Sequence, residues 1–130
     1  MERSVSRTGK HAATRIVVVV RASGRVEVYS RPTRQSVAAK TYSRGYAGAV
    51  DVDLGPGDVL VVVRLVRGPS GRVSGAFSVV DSEGREVLRA VYRRLKVRLS
   101  RGDPSYSWAV ERAAAALGLD KYIRRYNWGR

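Results

Sequence analysis

Residues 85–99 read REVLRAVYRRLKVRL, and the architecture turns on how that stretch is read. At helical spacing, Leu88, Val91, Tyr92, Leu95 and Leu99 gather on one face. Arg, Leu, Ala and Glu are good helix formers as well. At strand spacing, Val87, Val91, Leu95, Val97 and Leu99 share one parity instead. The spacing predicts a helix over 85–94, with 95–99 extended, and the strand reading stays open.

Upstream the pattern is that of strands. Residues 14–22 are β-branched and apolar, as a strand buried on both faces is. Ser23-Gly24 turns the chain, 25–30 returns, and Pro32 ends the pair. Residues 33–43, with Thr33 as N-cap, predict one or two helical turns, and 45–48 are loop. Residues 49–54 alternate, with Val50, Val52 and Leu54 opposite Asp51 and Asp53. A Gly-Pro-Gly-Asp turn at 55–58 leads to a second apolar strand over 59–66, and Gly-Pro-Ser-Gly at 68–71 leads to a strand over 72–80. In that strand Val73, Phe77 and Val79 oppose the small Ser74, Ala76 and Ser78. A face so smooth admits either a helix of the same chain or a nucleic acid. The turn at 81–84 then opens the ambiguous stretch.

Downstream, Gly102-Asp103-Pro104 ends an element. Ser105 is read as the cap of a helix over 106–117, Gly118 stops it, and 119–126 are read as a helical tail. The expected fold is therefore α+β: a mostly antiparallel sheet of about five strands, with helices packed on one face and at the C-terminus. Residues 1–13 are read as a flexible basic arm and 14–130 as one domain.

Charge directs the functional reading. The chain of 130 residues carries a formal net charge of +14, a self-repulsion that an anionic partner relieves. Residues 1–44 hold net +8, residues 45–81 net −1 and residues 82–130 net +7, so the two flanks are the expected contact surfaces and the middle is scaffold. Cysteine is absent, which excludes disulfides, thiolate catalysis and zinc fingers. Twenty-one of the basic residues are Arg, a bias that either heat adaptation or genome base composition produces. The longest apolar runs, 16–20 and 59–63, are too short to span a bilayer. An intracellular, cytoplasmic protein is expected, with nucleoid association and homodimerisation left open.

Arginines interleave with rings. Guanidinium forks pair with phosphate, and tyrosine or tryptophan faces stack unpaired bases. Single-stranded nucleic acid, DNA before RNA, is thus the expected partner. Arg31, Arg34, Lys40 and Arg44 are the candidate phosphate contacts of a first rim. Arg93, Arg94, Lys96 and Arg98 form the opposite one, and Arg64 stands alone in an apolar strand. Tyr29, Tyr42, Tyr46 and Phe77 are the candidates for stacking or for an apolar floor, with core the default for Phe77. A ribosomal or ribonucleoprotein component and a duplex-binding chromatin protein fit the same charges.

No cofactor, metal site or catalytic residue is expected. His11 is the sole histidine and sits in the basic arm, whereas a general base needs an oriented imidazole. Asp51, Asp53 and Asp58 are the acidic set a metal-dependent nuclease would use, and the plainer reading is a solvated acidic face. Gly55-Pro56-Gly57 lacks the Gly-Lys-Ser/Thr ending of a phosphate loop.

Gly45-Tyr46-Ala47 and the strand lead-in Gly57-Asp58-Val59-Leu60-Val61-Val62-Val63-Arg64 resemble the ThermoDBP-related single-stranded DNA-binding proteins of hyperthermophilic archaea. The resemblance implies a sheet-and-helix domain. It also implies a cleft with an apolar floor and basic rims that grips single strands without strong sequence preference. The leucine zipper of that family's founding type has no counterpart, since 117–130 are too short and irregular for one.

Overall fold

A computed structural model describes residues 12–30 and 51–129. The first hairpin is β1 (Ala12–Val20) and β2 (Val26–Tyr29). A meander follows: β3 (Val59–Arg67), β4 (Val73–Val80), β5 (Glu86–Arg93) and β6 (Lys96–Gly102). A 3-10 turn, η1 (Pro104–Tyr106), opens helix α1 (Ser107–Ala116). A second 3-10 turn, η2 (Leu119–Lys121), leads to the short β7 (Arg125–Asn127). All strands join one sheet in the order β2-β1-β3-β4-β5-β6-β7. Every neighbouring pair is antiparallel except β6 and β7, which run parallel.

The expectation of about five strands with helices on one face is corrected by this sheet, which is seven-stranded and mixed. Among the described residues α1 is the single α-helix. The main source of the error is the stretch 85–94, which forms β5 rather than a helix. Leu88, Ala90 and Tyr92 alternate inward, while Val91 points to the other face and Leu95 sits in the turn. The helix-like spacing was a sum over both faces of a strand and its turn. Propensity loses here because β4 is buried. Without β5, backbone groups beside Phe77 and Val79 would lack hydrogen-bond partners.

Smaller corrections concern the C-terminal part. Asp103 caps the 3-10 turn η1, its side chain accepting a 2.9 Å hydrogen bond from the Ser105 N–H; the N-cap of α1 is Tyr106, without a side-chain cap bond, so Ser105 does not cap. Gly118 does stop the helix, at φ 74. The expected helical tail over 119–126 is η2 and β7, where Tyr126 pairs with Val97 and packs against the core. Residues 51–53 show the expected in–out alternation, with Val52 buried and Asp51 and Asp53 exposed, but lie outside the regular strands. The helical turns read over 33–43 and residues 1–11 of the arm read over 1–13 lie outside the described residues, while Ala12 and Ala13 of that arm pair with β3 as the start of β1.

Strand parity divides the sheet into two faces. Val18, Val20, Val61, Val63, Phe77 and Val79 point to one, where Ala109, Val110, Ala113 and Ala114 of α1 close the core. Alanines on that helix face let its backbone approach the valine-rich sheet. Val17, Val19, Leu60, Val62 and Val80 point the other way and pack with Val52. Thus β1 and β3 are buried on both faces, as their unbroken apolar runs require.

Candidate nucleic-acid interface

The small residues Ser74, Ala76 and Ser78 occupy the sheet face opposite α1, as the alternation over 72–80 requires. From there towards β7 the same face turns basic, and the register fixes which side chains meet. One row runs Arg64–Ala76–Val91–Arg98–Asn127 across β3 to β7. Strands lie about 4.8 Å apart. Arg64 and Arg98, three strands apart, thus bracket a shallow trough about 14 Å wide, with Ala76 and Val91 as its floor.

The next row is Arg93–Lys96–Arg125. Like charges placed directly opposite on neighbouring strands repel, by roughly 0.2–1 kcal/mol per pair. All three are exposed and make no ion pair with a described carboxylate, and the same holds for Arg64 and Arg98. At the far side, Arg15 of β1 stands opposite Arg64.

A contrasting row shows what relief looks like. Arg89 and Arg101 also face each other, but Glu86 sits between them. Arg89 Nη2 donates to Glu86 Oε2 at 2.8 Å, Arg101 Nη2 donates to Oε1 at 2.8 Å, and the Ser78 hydroxyl donates to Oε2. Burial opposes the Glu86 charge, yet the hydrogen bonds from Arg89, Ser78 and Arg101 prevail and hold its carboxyl at about 2. A depressed carboxyl stabilises the fold above its unfolded value, near 4.5, and that contribution vanishes as pH falls towards 2. With Arg89 and Arg101 both more than a third exposed, solvent screening leaves about 1 kcal/mol. Urea unfolding of the wild type and Glu86→Gln is expected to show that difference at pH 6 and its loss by pH 2. A difference that does not change with pH would refute the role given to this carboxylate.

The sequence-predicted residues divide as follows. Arg64, Arg93, Lys96 and Arg98 share the trough. Arg94 does not: it lies in the β5–β6 turn at φ 52 and lines a groove on the helix side. Phe77 is fully buried against α1 and is corrected from candidate stacking ring to core. Tyr29 is half-buried beside the Val17–Val19 cluster, and its hydroxyl donates to Glu27 Oε1 at 2.9 Å. That bond also holds the hydroxyl proton and raises its ionisation above the ordinary tyrosine value. Arg31, Arg34, Lys40, Arg44, Tyr42 and Tyr46 lie outside the described residues. Arg89, Arg101 and Arg125 were not among the expected site residues: Arg89 shares the parity of Arg93, the bulge opposite Arg89 and Ala90 brings Arg101 to the same face, and Arg125 pairs with Lys96.

Other charged and aromatic side chains are engaged elsewhere. Asp58 accepts from the backbone N–H of Ala22 at 2.7 Å and of Gly55 at 2.9 Å, and from Arg21 Nη1 at 3.1 Å. It thereby ties two turns together. Those bonds, with the Ala22 N–H foremost, hold its carboxyl below the usual range. Trp108 packs on the core under the Arg112 guanidinium. Trp128 stacks on Tyr126 and donates to Glu111 Oε2 at 2.9 Å. No described helix is long and apolar enough to cross a membrane. No family model, curated protein or solved structure matches the chain.

Proposed function

We propose that the protein binds single-stranded nucleic acid, DNA before RNA and with little sequence preference, by laying the phosphate backbone over the basic sheet face. The observation that carries this reading is the row Arg93–Lys96–Arg125, where like charges oppose each other without a described carboxylate between them. A polyanion lying across that row relieves the repulsion, as Glu86 does for Arg89 and Arg101. The trough floor supports a single strand over a duplex. Ala76 and Val91 are flush with the sheet, and no described helix or ribbon rises from this face to enter a duplex groove. Guanidinium groups read phosphate rather than base edges, so weak sequence preference follows.

Fluorescence anisotropy with labelled dT, rU and duplex oligonucleotides of equal length tests the proposal. Each neutralised phosphate on a single strand lowers the salt slope by about 0.7. If Arg64, Arg93, Lys96, Arg98 and Arg125 make the contacts, log K against log salt is expected to fall with a slope of about −3.5. Duplex should bind more weakly than dT at every salt concentration. A flat salt response would remove the phosphate model. Tighter duplex binding would favour a chromatin role, and binding confined to one structured RNA a ribosomal one.

A further inference from the structure

On the helix side of the sheet, where β3 and β5 end, lies an open groove of about 870 Å³. Leu65, Val73 and Tyr92 form its floor, and Leu95, Leu119 and Tyr122 form its walls. Arg67, Arg72 and Arg94 stand on its rim.

Independent features converge there. Among the described residues the large apolar side chains left exposed are Val28 (52%), Leu95 (41%) and Tyr122 (59%), and the last two line this groove. The described non-glycine residues with positive φ are Arg94 (52°) and Leu95 (68°), and both line it too. They form the two-residue loop between Arg93 and Lys96, a position that Asn-Gly fills without strain. A leucine held in a left-handed conformation with its side chain in solvent carries a backbone cost and a hydration cost together. Such a combination marks a contact surface rather than a folding device. The rim arginines make no ion pair with a described carboxylate; Arg67 reaches only the Gly71 carbonyl.

We infer that the groove is the docking site for an acidic protein segment that inserts large apolar side chains between the three rim arginines. The lining is mostly aliphatic, which suits the Leu or Phe anchors of an amphipathic segment. Base stacking needs open ring faces, and Tyr92 is 3% exposed, so Tyr122 alone offers one. Carboxylates fit the guanidinium forks of the rim. Charge argues against self-occupancy by the segment that precedes β1. Ala12 pairs with Arg67 beside the groove, but residues 1–11 carry Arg3, Arg7 and Lys10 against Glu2. This inference stands apart from the single-strand reading, because the groove and the trough lie on opposite faces of the sheet.

The probe is a short fluorescein-labelled peptide of Asp and Glu with Leu and Phe at i and i+4, paired with a control in which both are Ser. The wild type is expected to bind the anchored peptide at least tenfold more tightly than the control. Tyr122→Ala and Leu95→Asn should each abolish that preference while leaving dT affinity unchanged. Asn accepts the left-handed conformation, and melting curves confirm that both variants fold. Equal binding of the two peptides to the wild type overturns the inference. So does a loss of dT affinity in Tyr122→Ala, which would assign the groove to nucleic acid. Loss of dT binding by the wild type alone would sink the single-strand reading and leave this one standing.

Discussion

Lys96→Glu is expected to stabilise the fold and weaken single-strand binding at once. In the wild type Lys96 lies directly between Arg93 and Arg125 on the exposed sheet face. The substitution turns two repulsive cross-strand pairs into attractive ones, a gain of about 1 kcal/mol in urea unfolding. On the proposed reading it also removes a phosphate contact and sets an anion against the strand. Affinity for dT should fall by about tenfold to a hundredfold at low salt, and the salt slope should become shallower by about one contact. Opposite signs are the test, because a residue that merely serves the fold loses both together. The same reversal at Arg101 is expected to go the other way in stability. There the new carboxylate would face Glu86, which is held ionised by Arg89 and Ser78. If Lys96→Glu lowers stability, or leaves dT binding unchanged, the trough is not the phosphate path.

The strands over 14–22, 25–30, 59–66 and 72–80 were legible because each is bounded by Gly or Pro turns and reads apolar or alternating. Their observed limits differ by at most two residues. The stretch 85–94 was not. Its identity depends on β4 needing a partner, and that need arises from the burial of Phe77 and Val79 rather than from anything local to 85–94. A bulge between Arg89 and Ala90 shifts the register and further blurs the period of two. β7 was hidden for a related reason. Three residues, Arg125–Asn127, carry no periodic signal, and only the parallel edge of β6 makes them a strand.

The site was half legible. Clustering of Arg93, Lys96 and Arg98 in sequence already marked the basic flank. Which of its members share a face depends on the strand assignment: at helical spacing Arg94 and Arg98 would have stood together, four residues apart. In the sheet Arg94 leaves the set and Arg125 joins it, although 27 residues after Arg98 in the chain. The small face of β4 is not the seat of α1, which packs on the opposite face of the sheet. Phe77 shows the limit of composition. One ring among small residues invites a stacking role, yet its parity with Val73 and Val79 commits it to the core.

The other large effect is expected at Gly75, between the small residues Ser74 and Ala76. A Cβ added there would lie 2.1 Å from the Arg64 carbonyl oxygen and 3.1 Å from Leu65 Cδ2. The obstacle is main chain, not the far end of a flexible side chain, so Gly75→Ala must open the β3–β4 ladder where Leu65 pairs with Gly75. A cost of about 3 kcal/mol follows from overpacking with lost ladder hydrogen bonds, which lowers the melting temperature by about 10 °C. Gly71 supplies the contrast. Its φ is 84°, but nothing lies within 4 Å of the place a methyl group would take, so Gly71→Ala should cost only about 1 kcal/mol from backbone strain. Equal costs at the two positions would mean that β3 and β4 are not in this close register. The consequence reaches the trough, because the peptide that must move carries Arg64. Folded Gly75→Ala should bind dT more weakly than Gly71→Ala, with the deficit shrinking as salt rises, as expected when one cation is displaced from a phosphate path.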